Sequence, residues 1–402
     1  MPKQVKSDVE TFARIKVLGI GGSGKNALEH MIQSKVNGVE FIAINTDSQD
    51  LHKSSAKKKI HIGKNVTKGL GAGMNPEIGR RAAEETLEEI QEATKGADMV
   101  FVTCGLGGGT GSGAAPKIAQ TAKEAGALTV AVATKPFFFE GKQRMAIAEK
   151  AIEDLRKSVD AIIIIPNDRL LGIIDKETTA KNAFAKCDAV LKQAVEGISD
   201  LITTPGIINV DFADIRSILM NAGPALMGIG QSTGEKRAEE AAKAAINSPL
   251  LDISISGAKG VLFSIAGGDD LTMFEIQEAA KIITESIDTD AKIIFGTVKD
   301  DNLKKGEVKV TVIASGFPEG AVKKSLFGSS SAMPNFGNSN KEEDRKEEKT
   351  EKKGIFNSVP KEKKEEEKPQ EEQPAPATAS NSEEDDDDWG AVPSFLRRSK
   401  LK

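Results

Sequence analysis

The chain has 402 residues, 39 % of them hydrophobic, and a formal net charge of −5 at neutral pH. That is enough for two or three domains around a sizeable core, and it provides no global positive field to recruit nucleic acid. Two cysteines, Cys104 and Cys187, argue against a disulfide framework and fit a reducing cytosol.

Residues 1–13, MPKQVKSDVETFA, are polar, lack the apolar core of a signal peptide, and read as a flexible N-terminus. From Arg14 onward strand-like and helix-like segments alternate. The predicted strands are Arg14–Gly19, Val39–Asn45, Asp98–Cys104, Ala127–Ala133 and Asp160–Pro166, each dense in apolar residues as strands buried on both faces are. Helical stretches lie between them, notably Pro76–Lys95, with proline in its first turn, and Lys142–Lys157. The alternation predicts an α/β fold with a Rossmann-like parallel sheet over residues 14–175. Residues 176–204 then read as one long central helix. Phe184, Cys187, Leu191, Ala194, Ile198 and Leu201 fall on one side of it at spacings of three and four, and Pro205-Gly206 ends it. Residues 205–317 predict a smaller α+β domain: a strand GVLFSIAGG, a helix opened by a Thr272/Glu275 capping box, and strands AKIIFGTV and EVKVTVIAS.

Residues 318–382 are rich in Lys, Glu, Ser, Asn and Pro. They cannot bury enough surface to offset an ordering entropy of about 1–2 kcal/mol per residue, which predicts a disordered linker. Residues 383–402, EEDDDDWGAVPSFLRRSKLK, run from an acidic block through Trp389, Val392, Pro393, Phe395 and Leu396 to a basic end beginning at Arg397. They read either as a frayed terminus or as a short motif that folds on a partner. The long polar tether favours the motif. For the basic end, a solvated terminus is the preferred reading over contact with acidic lipid. The longest apolar runs, such as 161–165, are far shorter than a bilayer span, so any membrane connection is expected to go through a partner.

Three glycine-rich stretches carry the chemistry. The first, GIGGSGKNA (19–27), satisfies the dinucleotide pattern G-x-G-x-x-G at Gly19, Gly21 and Gly24. It also nearly satisfies the P-loop pattern, but Asn26 stands where the Mg²⁺-binding hydroxyl belongs. The second, GLGGGTGSG (105–113), packs six glycines into nine residues between a strand and a helix, where a simple turn needs one or two. Such loops let backbone N–H groups converge on phosphate oxygens at a helix N-terminus. The third, GLGAGMNPEIGRR (69–81), opens another helix. Three loops suit a triphosphate. A nicotinamide-dependent oxidoreductase, suggested by the first loop and by Asp47 some twenty residues on, usually needs only one. A P-loop ATPase fails at Asn26, and a nucleotide-binding scaffold without turnover stays open.

GGGTGSG (107–113), GGSGKNA (21–27), NTD (45–47), TKPFFFEGKQR (134–144) and NVDFADIRSIL (209–219) together resemble the tubulin/FtsZ family of GTPases, and the resemblance covers residues 14–317. It implies a GTP-binding, GTP-hydrolysing protein that assembles head-to-tail into the filaments of the bacterial division ring. The place implied is the cytoplasm at mid-cell, beneath the inner membrane. Gly22, Ser23, Gly24, Lys25 and Asn26, with Gly107, Gly108, Gly109, Thr110 and Gly111, would hold the phosphates. Ala72 and Gly73 would approach the γ-phosphate, and Asp47, Glu140 and Arg144 would contact the nucleotide or its ribose. Asn167 and Asp188 would read guanine, with Phe184 stacking beside them, although plain helix core is the blander reading of Phe184. Asn209, Asp211 and Asp214 would act on the nucleotide of the neighbouring subunit with Mg²⁺ neutralising phosphate charge, although N-capping alone accounts for such residues at a helix start. The VPSFLRR tail resembles the family's peptide for membrane adaptors. Some positions depart from the pattern. Lys25 would either add charge near the phosphates or, by preference, face solvent. Ser23 would add a hydrogen bond, Met74 is larger than expected, and the triple Phe137–Phe139 is unusually apolar for a loop.

Overall fold

Strand β1 (Ile15–Ile20) sends Ile15 and Val17 into one apolar core and Leu18 and Ile20 into another, the period-two alternation of a strand covered on both faces. Strand β4 (Met99–Gly105) repeats the division, Met99 and Phe101 on one side, Val100, Val102 and Cys104 on the other. These strands belong to a computed structural model that describes residues 13–172, 177–251, 254–300 and 303–317, all within one compact unit. Most of the expected N-terminal arm, the linker 318–382 and the 383–402 peptide lie outside the described residues.

In chain order β1 leads to α1 (Gly21–Gln33), β2 (Val39–Asn45), α2 (Ser48–His52), β3 (Lys58–His61) and α3 (Lys64–Thr67). Next come α4 (Pro76–Glu85), α5 (Leu87–Thr94), β4, α6 (Gly109–Glu124), β5 (Leu128–Lys135), α7 (Lys142–Ser158), β6 (Ala161–Pro166) and α8 (Asn167–Leu171). The strands of this part are parallel in the order β3-β2-β1-β4-β5-β6. The single helix expected over 76–95 is two helices. At Thr86 the backbone leaves helical geometry (φ −114°, ψ 26°), and the hydroxyl accepts from Gly63 N–H and donates to the Ala82 carbonyl.

The central helix, α9 (Ala180–Thr203), has 24 residues and is capped by the Thr179 hydroxyl, which accepts from Asn182 N–H. Leu191, Ala194, Val195 and Ile198 are buried in one continuous core with Val17 and Phe101 of the parallel sheet and with Ile215, Leu262 and Ile313 from beyond the helix. Phe184, by contrast, is 46 % exposed, so the reading of it as plain core does not hold.

After α10 (Phe212–Leu219) come β7 (Gly223–Thr233), α11 (Arg237–Ile246), β8 (Gly260–Gly267), α12 (Met273–Glu285), β9 (Lys292–Lys299) and β10 (Glu307–Ser315). The expected strand-helix-strand-strand order is β8-α12-β9-β10, and Thr272 and Glu275 do form the capping box. β7 and α11 precede it unforeseen. Their packing explains the glycines that disguise β7: a Cβ on Gly228 or Gly230 would come within 2.0 Å of the Ala245 or Ala241 carbonyl of α11. The sheet is also continuous. β6 and β7 pair in parallel through Ala161–Gly223, Ile162–Pro224 and Ile163–Ala225, joining both parts into ten strands ordered β3-β2-β1-β4-β5-β6-β7-β10-β8-β9.

Candidate functional site: a cavity at two helix N-termini

β1 and β4 are neighbours, and the strand order reverses between them. At such a switch point a crevice opens beyond the strand carboxyl ends, the usual place for a nucleotide in this architecture. Each strand here runs into a helix whose N-terminus lacks a side-chain cap and carries no acid in its first turn: α1 behind Ile20 and α6 behind Gly108. The unpaired first-turn N–H groups and the positive ends of both dipoles are therefore left for an anion. Two glycines are needed for this geometry. Gly107 has φ +94°, and a Cβ on Gly111 would stand 2.4 Å from the Gly105 carbonyl.

The cavity there has a volume of about 410 Å³. Gly22, Ser23 and Asn26 line it from α1, and Gly108, Gly109, Thr110 and Gly111 from α6. At its side, Arg144 Nη1 donates to Glu140 Oε2 at 2.8 Å while Glu140 Oε1 accepts from Phe137 N–H at 3.0 Å. At its far end are Asn167, where α8 begins, and Phe184, Cys187 and Asp188 of α9. The Asn167 side-chain oxygen is buried without a hydrogen-bond partner. Burial pushes the Asp188 carboxyl up to about 6. Both are polar groups lacking a partner that a ligand can supply. The Phe184 ring meets Phe137 edge-on at 5.3 Å, and Phe137 stacks on Phe139 at 4.9 Å, so the apolar triple is a wall built beside the cavity. Burial, and next the Asp188 charge, push the Cys187 thiol up to about 12, leaving it unreactive. A larger groove of about 670 Å³ between α4, α6 and α7 mixes acids and bases, as in the Glu77–Arg80 pair, and gathers no single charge.

Several expected residues lie off the cavity wall. Gly24 is packed on the Thr103 carbonyl. Lys25 neither faces solvent nor reaches the cavity: it is 8 % exposed, and its Nζ lies 2.6 Å from Asp50 Oδ1. Asp47 caps α2, accepting from Gln49 and Asp50 N–H. Ala72 is packed against Gly109, while Gly73 (φ +56°) and Met74 (φ +59°) turn the third loop. Gly107 shapes its loop from behind, its N–H donating to Ser112 Oγ. Gly21, Thr134, Pro136 and Cys187 line the cavity without having been singled out as site residues. Cys187 had a signal in its place between Phe184 and Asp188 on one helix face.

Asn209, Asp211 and Asp214 are exposed and line no part of this cavity. Asn209 Oδ1 accepts from Gly206 N–H at 2.8 Å, Asp211 caps α10 through Ala213 N–H at 2.7 Å, and Asp214 stands in the first turn of that helix. N-capping is thus realised at Asp211, and it leaves one of its carboxylate oxygens and the whole Asp214 carboxylate available. Next to them, Ile208 shares an apolar groove with Met273, Phe274 and Phe295, and Ile207, Met273 and the 79 % exposed Phe274 are bare on the surface.

Comparison with known proteins agrees with this geometry. Residues 14–175 match the tubulin/FtsZ family GTPase domain, and residues 223–318 match the FtsZ family C-terminal domain. An FtsZ dimer of M. jannaschii, in its empty form, is 47 % identical over 77 % of this chain and 89 % of its own, with a TM-score of 0.74. Two Haloferax volcanii structures share the fold at lower identity. CetZ2, a GTPγS-bound protofilament, is 21 % identical over 78 % of this chain and 96 % of its own at TM-score 0.65. CetZ1, a GDP-bound monomer, is 22 % identical over 78 % and 97 % at TM-score 0.66. The oxidoreductase reading of the first glycine loop finds no support among them.

Proposed function

The chain belongs to the tubulin/FtsZ family of GTPases, and from that premise we propose that it hydrolyses GTP in a site completed between neighbouring copies of itself. It is a GTP-binding, polymerising protein of the cell-division type. One observation supports the shared-site reading: Asn209, Asp211 and Asp214 are exposed, and none of them lines the cavity. Of the carboxylates that line the cavity, Glu140 is engaged by Arg144 and Phe137, and Asp188 stands at the far end. Asn209, Asp211 and Asp214 face outward beside bare Ile207, Met273 and Phe274, a surface suited to a second copy. Docking that surface over the cavity makes a heterologous contact, which repeats into a filament.

In this reading the α1 and α6 N-termini hold the phosphates, with Ser23 and Thr110 adding hydroxyls. Ala72 and Gly73 do not line the cavity, and they would sense the γ-phosphate through the packing of Ala72 on Gly109. Asn167 and the ionised Asp188 take the guanine edge. The incoming Asp211 and Asp214 position and polarise the attacking water, with Asn209 holding their loop. The oxygens on offer from Ser23, Asn26 and Thr110 do not form a carboxylate cage, and no cluster of three metal-ligating side chains occurs among the described residues. That donor set fits a Mg²⁺ carried on the phosphates and completed by water, which would neutralise their charge. Trp389, Val392, Pro393, Phe395, Leu396 and Arg397 would engage a membrane adaptor, placing the filament at the mid-cell division site beneath the inner membrane. No helix among the described residues is long and apolar enough to cross a membrane.

The test is the specific GTPase rate against protein concentration, with pelleting under GTP and GDP in parallel. The rate should rise above a threshold where GTP-dependent pelleting begins. A flat rate without pelleting would mean a self-contained site.

A further inference from the structure

The ion pair beside the first glycine loop, a buried lysine and a partly exposed aspartate, has no part in the scheme above. Lys25 sits one turn into α1 and is not among the residues of that helix, Gly22, Ser23 and Asn26, that line the cavity. Its partner, Asp50, is held from a second direction: Asn45 Nδ2 donates to Asp50 Oδ2 at 2.8 Å, while Lys25 holds Oδ1 at 2.6 Å. The same carboxylate is close to the phosphate loop. A Cβ on Gly22, a cavity residue, would stand only 3.7 Å from Asp50 Oδ2. A carboxylate is thus fixed beside a helix N-terminus whose unpaired N–H groups are left for an anion. Alone, it would cancel much of the dipole's attraction and repel a polyphosphate. The cation bonded to it prevents this, and being 8 % exposed it does so where solvent screens little.

We propose that Lys25 is an internal counter-ion: by neutralising Asp50 behind the first glycine loop, it keeps the phosphate cavity electrostatically open to a nucleoside triphosphate. The inference rests on the guanine-nucleotide reading of the cavity. Lys25 touches no ligand and acts through Asp50, so its effect must scale with ligand charge and must vanish when Asp50 is neutral. A merely structural role predicts neither.

The experiment is calorimetric titration of the full chain, freed of nucleotide and kept below its assembly threshold, with GDP and with a non-hydrolysable GTP analogue. Lys25→Met should weaken the triphosphate on the order of fivefold or more, and GDP less, with the loss shrinking between about 0.05 and 0.5 M salt. Adding Asp50→Asn to that variant should return affinity to near wild type. Unchanged affinity in Lys25→Met would overturn the proposal, and so would a loss that Asp50→Asn does not repair. Should Lys25→Met not fold, Asp50→Asn alone decides. It removes the negative charge, gives up one of the two hydrogen bonds that Asp50 accepts from Lys25 and Asn45, and leaves Lys25 uncompensated, so the triphosphate should bind tighter, and equal or weaker binding overturns the proposal. Failure of the wild type to bind either nucleotide would remove the premise instead.

Discussion

Asp188 lies one helical turn beyond Phe184 on α9, and both side chains line the same end of the cavity. The ring is propped edge-on by Phe137, and burial holds the carboxylate at a cost. A stacking face and a hydrogen-bond acceptor with no partner of its own make a pocket built for a ligand rather than for stability.

That cost gives a two-sided prediction for Asp188→Asn. The folded-state carboxyl is raised to about 6 by burial, above its unfolded value. The native state therefore binds the proton more tightly, and stability falls as pH rises through the window between the unfolded value and about 6. At neutral pH the variant escapes a penalty on the order of 1 kcal/mol, so the nucleotide-free protein should melt a few degrees higher. GTP affinity should fall at the same time. In the wild type, affinity should also decline as acid protonates the group below about 6. Thermal melts and nucleotide titrations across pH check both, and a variant that binds GTP as well as wild type would remove Asp188 from guanine recognition.

Asp214→Ala addresses the other half of the site. The residue is exposed at the start of α10, where its loss should change stability by no more than about 1 kcal/mol. GTP binding should survive, since Asp214 lines no part of the cavity, while phosphate release drops by roughly 10²-fold or more. Binding and turnover measured on one preparation separate the two effects. Wild-type turnover would sink the role given to Asp214.

Much of this is legible in the sequence, and the exceptions have a common physical cause. Strands such as β4 and β5, buried along nearly their whole length, read directly as apolar runs, and the glycine loops read as backbone cradles because so many glycines have no cheaper explanation. β7 was hidden because Gly228 and Gly230 look like breakers, although they are there to let α11 lie flush on the strand. Lys25 reads as solvent-facing in the sequence because its partner Asp50 is 25 residues away and no helix or strand period links them. The orphaned Asn167 oxygen and the bare Phe274 are properties of packing, and no local pattern encodes either.

Phe274 tests the surface beside the acids. A phenylalanine that is 79 % exposed contributes little to the fold, so Phe274→Ser should shift stability by about 0.5 kcal/mol or less and leave GDP binding intact. Assembly should suffer, with the threshold for GTP-dependent pelleting moving several-fold upward. Sedimentation across a concentration series reads this, and an unmoved threshold would take the start of α12 out of the contact between copies.

Asp200 offers a second pH-dependent reading, far from the nucleotide. It projects from α9 toward the C-terminal strands, where Lys309 bonds Asp300 at 2.8 Å and reaches Glu196 at 3.7 Å, while Lys192 holds Glu196 at 3.2 Å. Burial first, and then the Glu196 charge, push the Asp200 carboxyl up to about 7, with Lys309 pulling the other way. Its folded value again exceeds the unfolded one, so this contribution to stability is full only below the unfolded value and is lost as pH rises from there through about 7. Asp200→Asn fixes the neutral form. Its melting temperature should stay nearer that of wild type in mild acid and exceed it at pH of about 8, by a few degrees. A gap that does not grow with pH would mean an ordinary carboxylate, and a variant less stable in alkali would mean that Lys309 pairs with Asp200 and outweighs its burial.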